Sequence, residues 1–472
     1  MKRTLRASAI MGSSSLLSLV FSVLKTKAIA VVLGPEGLGV FGVLQQVLTA
    51  GAVVGQGLQG ATTREVAAAR ARDDHPALWE LWRTLWWAAP AASLAMAAWL
   101  LFSSATVAEL SLSNRHFEPW VAWMAPGIVA SIGAAALAGW LNGYRRTALI
   151  ARTNVISSVL SALVAAVAVY LLRDLRAVVV TLLAYPLAQL LVGFLAARPD
   201  MPSRTVELPQ KAAWSPMLLL ALSLTGTGWV SQTSQLAIRG LVVEHLGLAA
   251  AGDFQAAFSV SMLYLGFVLS AMATDYYPRL SEAAADRPAR HRIVDEQVQV
   301  ALLLAAPVIL GMSVAAPLVV QILYSGKFGG ANDILRWQLL GDLVKVPAWA
   351  LGYLVLAEGR TVMFFGLELL WNLGFLGLCW LWLPSMGLAA TGVAFVAAYL
   401  LQLGALMLVT GWVPSLKVLR TAALVAVCAV PVFAFRGGWM VIAGQCAVVS
   451  VLAFVAARTL WAGFRQSGRG EP

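Results

Sequence analysis

Charged side chains stand inside apolar runs of this chain where a lipid-facing helix carries none. Lys25 and Lys27 lie in the run 16–32, Arg239 in 217–243, and Asp342 with Lys345 in 337–356. An ionisable group inside a bilayer costs several kcal/mol unless it faces a polar interior, so these positions point to a pathway or a binding site. Glu368 is a further embedded acid, and Arg64, Arg336, Asp253 and Asp275 stand at span ends. The cations fall in both halves of the chain and outnumber the embedded acids. Such a site suits a phosphate or diphosphate, which arginine grips in bidentate fashion and lysine meets as a point charge. Asp342, Glu368 and Asp275 are then placed to compensate charge or to carry a coupling proton or Na⁺.

Helical spacing decides which polar residues share a face, at about 100° per residue. Ser15, Ser18, Ser22 and Lys25 form one stripe, and Gln45, Thr49, Gln56, Gln59 and Thr63 a second. Thr225, Gly228, Gln232, Gln235 and Arg239 form a third, and Gln338, Asp342, Lys345 and Trp349 a fourth. These faces are expected to line a wet cavity between two halves. The residues alone also allow structural roles. Hydroxyls in membrane helices bond backbone or neighbouring helices. Asp342 and Lys345 at i, i+3 can neutralise each other, as Glu368 and Asn372 at i, i+4 can pair. Lys27 can reach outward to headgroups. Lys25 and Lys27 lie about 160° apart, so only one of them faces a given cavity in a straight helix, and the stripe favours Lys25.

The elements that must hold these residues are membrane helices. The chain has 472 residues, 60% hydrophobic and 12% charged, whereas soluble domains run nearer half apolar and a quarter charged. A bilayer core of about 30 Å takes about 20 apolar residues per helix. The expected spans are 8–33, 38–63, 81–102, 119–141, 150–171, 177–197, 214–242, 248–276, 294–324, 332–357, 361–383, 387–411, 418–435 and 439–461. The fold expected is therefore an all-α polytopic membrane protein of about 14 spans, with no room for a separate soluble domain. The start, Met1 to Arg6, reads as the flank of an uncleaved first span rather than a signal peptide.

Lys and Arg alternate by loop. Alternate loops and both termini hold 22 of them, from Lys2 and Arg3 to Arg465 and Arg469; the opposite loops hold five: Arg115, Arg173, Arg176, Lys327 and Arg436. The positive-inside rule puts both termini in the cytoplasm with an even number of spans. The formal net charge of +11 thus reports topology, and nucleic-acid binding is excluded as its meaning.

A repeat divides the chain. Leu33-Gly34 followed by Gly39-Val40-Phe41 recurs as Leu246-Gly247 followed by Gly252-Asp253-Phe254, each copy between two spans with a cation upstream. Such duplications place a site between repeats. The expected organisation is a six-helix lobe over 1–198, a cytoplasmic linker at 199–213 containing Pro199, Pro202 and Pro209, a second six-helix lobe over 214–412, and two appended spans with a tail over 413–472.

Catalytic and metal motifs are missing. The cysteines, Cys379, Cys428 and Cys446, have no CxxC spacing, and the histidines, His75, His116, His245 and His291, lie in loops or at span ends. There is no HExxH, GxSxG or P-loop. Neither an enzyme, a cofactor nor a metal is expected, and a glycan polymerase or ligase lacks a candidate nucleophile.

The stretch Ile334-Leu335-Arg336-Trp337-Gln338-Leu339-Leu340-Gly341-Asp342-Leu343-Val344-Lys345-Val346, preceded by Lys327-Phe328 and continuing through Gly352-Tyr353-Leu354-Val355-Leu356-Ala357, resembles Wzx-type flippases of lipid-linked oligosaccharides. These carry O-antigen and enterobacterial-common-antigen units and share a superfamily with the MATE exporters. Lys27-Ala28-Ile29-Ala30-Val31-Val32-Leu33-Gly34-Pro35, with Gly37, Gly39 and Thr63-Arg64, is similar as well. The resemblance implies two six-helix lobes in a V-shaped, MATE-like arrangement, in the bacterial inner membrane. It implies flipping of an undecaprenyl-diphosphate-linked oligosaccharide from the cytoplasmic to the periplasmic leaflet by alternating access, beside a polysaccharide polymerase and a chain-length regulator. On this reading Lys25, Lys27, Arg64, Gln235, Arg239, Gln338 and Lys345 contact substrate. The motif positions match Lys27 and Lys345, with Arg239 near the corresponding place, so the motif favours Lys27 where the stripe favours Lys25; Lys27 is the one preferred, with a distortion before the turn at Gly34 rotating it inward. The appended spans depart from the twelve-helix pattern, and lipid II flippases also have fourteen. The alternatives are a lipid II-type flippase and a MATE-like multidrug or cation antiporter, and the antiporter would want acids in excess.

Overall fold

The structure, a computed structural model, describes residues 2–201, 211–283, 286–435 and 439–467. Hydrocarbon offers no partner to backbone N–H and C=O groups, so a chain this apolar satisfies them within helices. Every stretch expected to span is helical, and no strand occurs among the described residues. The helices are α1 (Lys2–Ala71), α2 (His75–Leu112), α3 (Glu118–Ala122), α4 (Ala125–Gly143), α5 (Thr147–Leu172), α6 (Arg176–Ala197), α7 (Lys211–Glu282), α8 (Arg287–Leu323), α9 (Gly329–Ala357), α10 (Thr361–Met386), α11 (Ala389–Thr410), α12 (Leu416–Ala434) and α13 (Trp439–Ser467). Eleven helical segments among the described residues are long and apolar enough to cross a membrane.

The repeat is visible in the backbone. α1 and α7 each hold two expected spans as two helical arms joined at one residue, Gly34 (φ 69°, ψ −165°) in α1 and Gly247 (φ 85°, ψ 174°) in α7. Both glycines occupy a region of backbone space that is essentially closed to other residues. The same break thus recurs at the same place in both copies of the motif.

The chain packs as two compact units, Met1–Gly252 with Leu323–Lys327, and Asp253–Ile322 with Phe328–Pro472. The seventh expected span, assigned by the duplication to the second lobe, packs with the first unit; most of the expected linker, 202–210, lies outside the described residues.

In the first unit α4 packs along the second arm of α1 through small residues, Gly55 against Ile132 and Gly139 against the backbone of Gln59. Without side chains, backbones approach closely, which is how membrane helices gain packing when lipid supplies no hydrophobic drive. The first arm of α7 lies against the second arm of α1: Gly57 meets Ala221 and Thr225, Gly228 meets Val53, and Gln46 donates to the Gln232 carbonyl at 2.9 Å and to its Oε1 at 2.7 Å. At the repeat the contact is reciprocal. A Cβ on Gly39 would land on the Leu248 carbonyl oxygen, and one on Gly252 on the Pro35 carbonyl oxygen. Each carbonyl belongs to the residue just after the other copy's break. At the other end Arg146 grips Asp200 with bonds of 2.9 and 2.6 Å, holding the end of α6 to the α4–α5 turn; these bonds push its pKa above the ordinary arginine value.

In the second unit α9, α10 and α11 pack around aromatic side chains, with Gly341 against Phe395 and Gly392 against Trp337. The appended pair is keyed to this unit by a polar cap. Arg336 of α9 donates to the carbonyls of Val432, Phe433 and Phe435 at 2.7, 3.3 and 3.3 Å. Gln445 of α13 donates to Pro431, Val432 and Phe435. The last carbonyls of a helix have no partner within it and its C-terminus is electronegative, so a guanidinium there satisfies both demands.

Candidate functional site

The first unit holds three of the embedded cations. Lys25, on the first arm of α1, is half-buried with Nζ 5.8 Å from the Phe41 ring and 6.0 Å from that of Tyr185 on α6. Aromatic faces carry negative charge density and offset part of an ammonium's desolvation. Lys27, on the same arm, is also half-buried. Arg239 is 4% exposed, with Nη1 3.2 Å from both the carbonyl and Oε1 of Gln235. Gln235 thereby orients Arg239. Arg64 is the outlier: its side chain is 72% exposed and stands 4.0 Å from Glu65. Asp275 lies outside the described side chains.

The polar stripes of α1 and α7 differ in their surroundings. Gln45 and Gln56 are exposed on the second arm of α1, a polar face that a lipid-facing helix would not carry. Thr225, Gly228 and Gln232 of α7 instead pack on α1 through Gly57, Val53 and Gln46. Periodicity places residues on one face of a helix but does not say what that face meets.

The second unit gathers Gln338, Asp342, Lys345 and Glu368. Asp342 is fully buried, with Oδ2 accepting the Ser261 hydroxyl at 2.6 Å and Oδ1 3.9 Å from Lys345 Nζ. Lys345 is 3% exposed. Its ammonium lies 5.5 Å from Trp349, 5.8 Å from Phe395 and 5.5 Å from Tyr399, and Glu368 is the second carboxylate acting on it. Glu368 accepts from Gln402 Nε2 at 3.2 Å, while its backbone carbonyl accepts from Asn372 at 2.8 Å. Gln338 is fully buried on the same face of α9. Two acids thus surround one base here. The cation surplus expected of both halves resides in the first unit, whose carboxylates stand at helix ends and turns.

Several of these neighbours carried no distinctive sequence signal. Ser261, Phe395 and Tyr399 are ordinary residues of apolar helices, and only the fold brings them to α9. Gln402 was legible, as the lone polar residue within the apolar run 400–409.

The chain is similar to known proteins on three counts. Residues 12–332 match the family model described as polysaccharide biosynthesis protein. The lipid III flippase of Escherichia coli is 25% identical over 406 residues, covering 84% of this chain and 95% of that protein. Two solved structures share the fold. The lipid II flippase MurJ in its inward closed conformation aligns with a TM-score of 0.75 at 14% identity, over 98% of this chain and 99% of that one. An inward-facing MATE family multidrug resistance transporter of the MOP superfamily aligns at 0.69 and 14% identity, over 86% and 95%. At 98% coverage the MurJ alignment takes in the appended helices.

Proposed function

Because this chain belongs to the family of polysaccharide biosynthesis proteins, we propose that it flips an undecaprenyl-diphosphate-linked oligosaccharide from the cytoplasmic to the periplasmic leaflet of the bacterial inner membrane. It transports and does not convert its cargo. The observation that carries the reading is the grouping of Lys25, Lys27 and Arg239 inside the spans of one unit, in a chain similar along 406 residues to a lipid III flippase. A diphosphate headgroup leaving water needs fixed positive charge, and charge-assisted bonds to phosphate oxygens are the strong ones. Lys25 and Lys27, half-buried, meet the diphosphate first. Arg239, held by Gln235, receives it deeper. The exposed glutamines Gln45 and Gln56 offer donors and acceptors to sugar hydroxyls. Coupling to protons or Na⁺ would use Asp342 and Glu368. Alternating access completes the cycle, and a polymerase and chain-length regulator take the product onward.

Gene deletion followed by extraction of lipid-linked oligosaccharides tests this. One undecaprenyl-diphosphate oligosaccharide accumulates, and its surface polymer is lost. In complementation, Lys27→Ala and Arg239→Ala lower surface glycan about tenfold or more at normal protein level, the scale of one lost charge-assisted bond. Full activity of both variants overturns the cation site. Unchanged lipids and glycans with altered drug tolerance would move the protein to the exporter reading.

A further inference from the structure

One buried polar cluster of the second unit is built around an ammonium that the chain supplies itself. Three rings (Trp349, Phe395 and Tyr399) and the Asp342 carboxylate converge on Lys345 Nζ, and Glu368 acts on its charge from farther away. An outer layer holds these groups in place. Ser261 donates to Asp342, Gln402 donates to Glu368, and the Trp371 ring lies 5.1 Å from that of Tyr399. Rings presenting their faces beside carboxylates are the surroundings that recognise an organic cation. Donor and acceptor capacity is left over as well. Among the described residues neither amide atom of Gln338 nor the indole N–H of Trp371 has a hydrogen-bond partner, and both side chains are more than nine-tenths buried. Gln338 stands one turn before Asp342 and two before Lys345 on one face of α9.

We propose that this cluster is a cation-binding box occupied by the Lys345 side chain, and that a small primary alkylammonium binds there once the side chain is removed. With the ammonium removed, two carboxyl groups and three ring faces remain, so the box keeps its attraction for a cation. Occupied by its own lysine, it is closed to cationic small molecules. Lys345 then serves as the internal counter-ion of Asp342 and Glu368, and the diphosphate is left to the cations of the first unit. The box stands apart from the flippase reading, because it is the same whichever lipid crosses.

The test uses the purified full-length chain in detergent micelles, melted with n-propylammonium chloride or sodium chloride at equal ionic strength. n-Propylammonium has the atoms that Lys345→Ala deletes. Lys345→Ala is expected to melt below the wild type and to recover by a saturable rise of a few degrees with n-propylammonium. The wild type stays unmoved, and tetramethylammonium, too bulky for the vacated channel, gives little recovery. Lys345→Ala combined with Asp342→Asn strands one buried charge fewer and guards against a single variant that does not fold. It retains Glu368 and should bind n-propylammonium about tenfold more weakly than the single variant, the loss of one charged partner. Adding Glu368→Gln abolishes the response. A folded single or double variant without saturable recovery, or a wild type that responds equally, overturns the box.

Discussion

A lysine in hydrocarbon is tolerated only for what surrounds it, and this chain uses two kinds of surroundings. Lys25 rests against Phe41 and Tyr185 and is half-buried. Lys345 has three rings and two acids and is nearly sealed. The i, i+3 spacing of Asp342 and Lys345 was legible in the sequence as a pair, but the 81-residue reach to Ser261 was not. Removing one partner of a buried pair strands the other, which costs about 3–5 kcal/mol, whereas an apolar replacement of both can be nearly neutral. Asp342→Asn and Lys345→Met are therefore each expected to lower melting sharply in micelles, and the double variant to lose less than their sum. Additive losses would show the two charges to be uncoupled.

At the scale of elements, the repeated glycines decide how α1 and α7 are built. The motif predicted two equivalent turns, and the backbone has the same glycine-only break at Gly34 and Gly247. Alanine at either is expected to cost about 1–3 kcal/mol, because the conformation excludes a Cβ. Gly39 and Gly252 matter for a different reason: their backbones are ordinary, but each Cβ would meet the other repeat's carbonyl. Gly39→Ala and Gly252→Ala should each lower folded yield or melting, and the double variant should fall short of additivity, because either methyl already separates the shared contact. Independent effects would mean that the two close approaches do not form one interlock. The sequence could mark these glycines as repeated but not as mutual neighbours. Likewise Arg336 read as a span-end cation, and only the fold shows it capping α12.

At the scale of the whole molecule, solvent sets the rules. Lipid forces helices, and the asymmetry of Lys and Arg orients them. A phosphatase reporter fused in the loop at Arg115 is expected to be active outside the cytoplasm, and a fluorescent protein fused after the last helix to fold inside it. An external C-terminus would overturn the even span count. The fold is shared with flippase and multidrug-transporter structures at 14% identity, so one set of helices accommodates very different side chains.

Composition, hydropathy period, loop charge and the glycine repeat determined by themselves that this is an all-α membrane protein with a duplicated motif and embedded charges. These signals are local or periodic, and a bilayer allows few alternatives. The tertiary structure alone decided which of those charges is sealed and which is left half-open. Lys345 and Lys25 are the same residue type in similarly apolar runs. What separates them is the set of rings and carboxylates that distant helices bring to each, and neither spacing nor composition encodes that proximity.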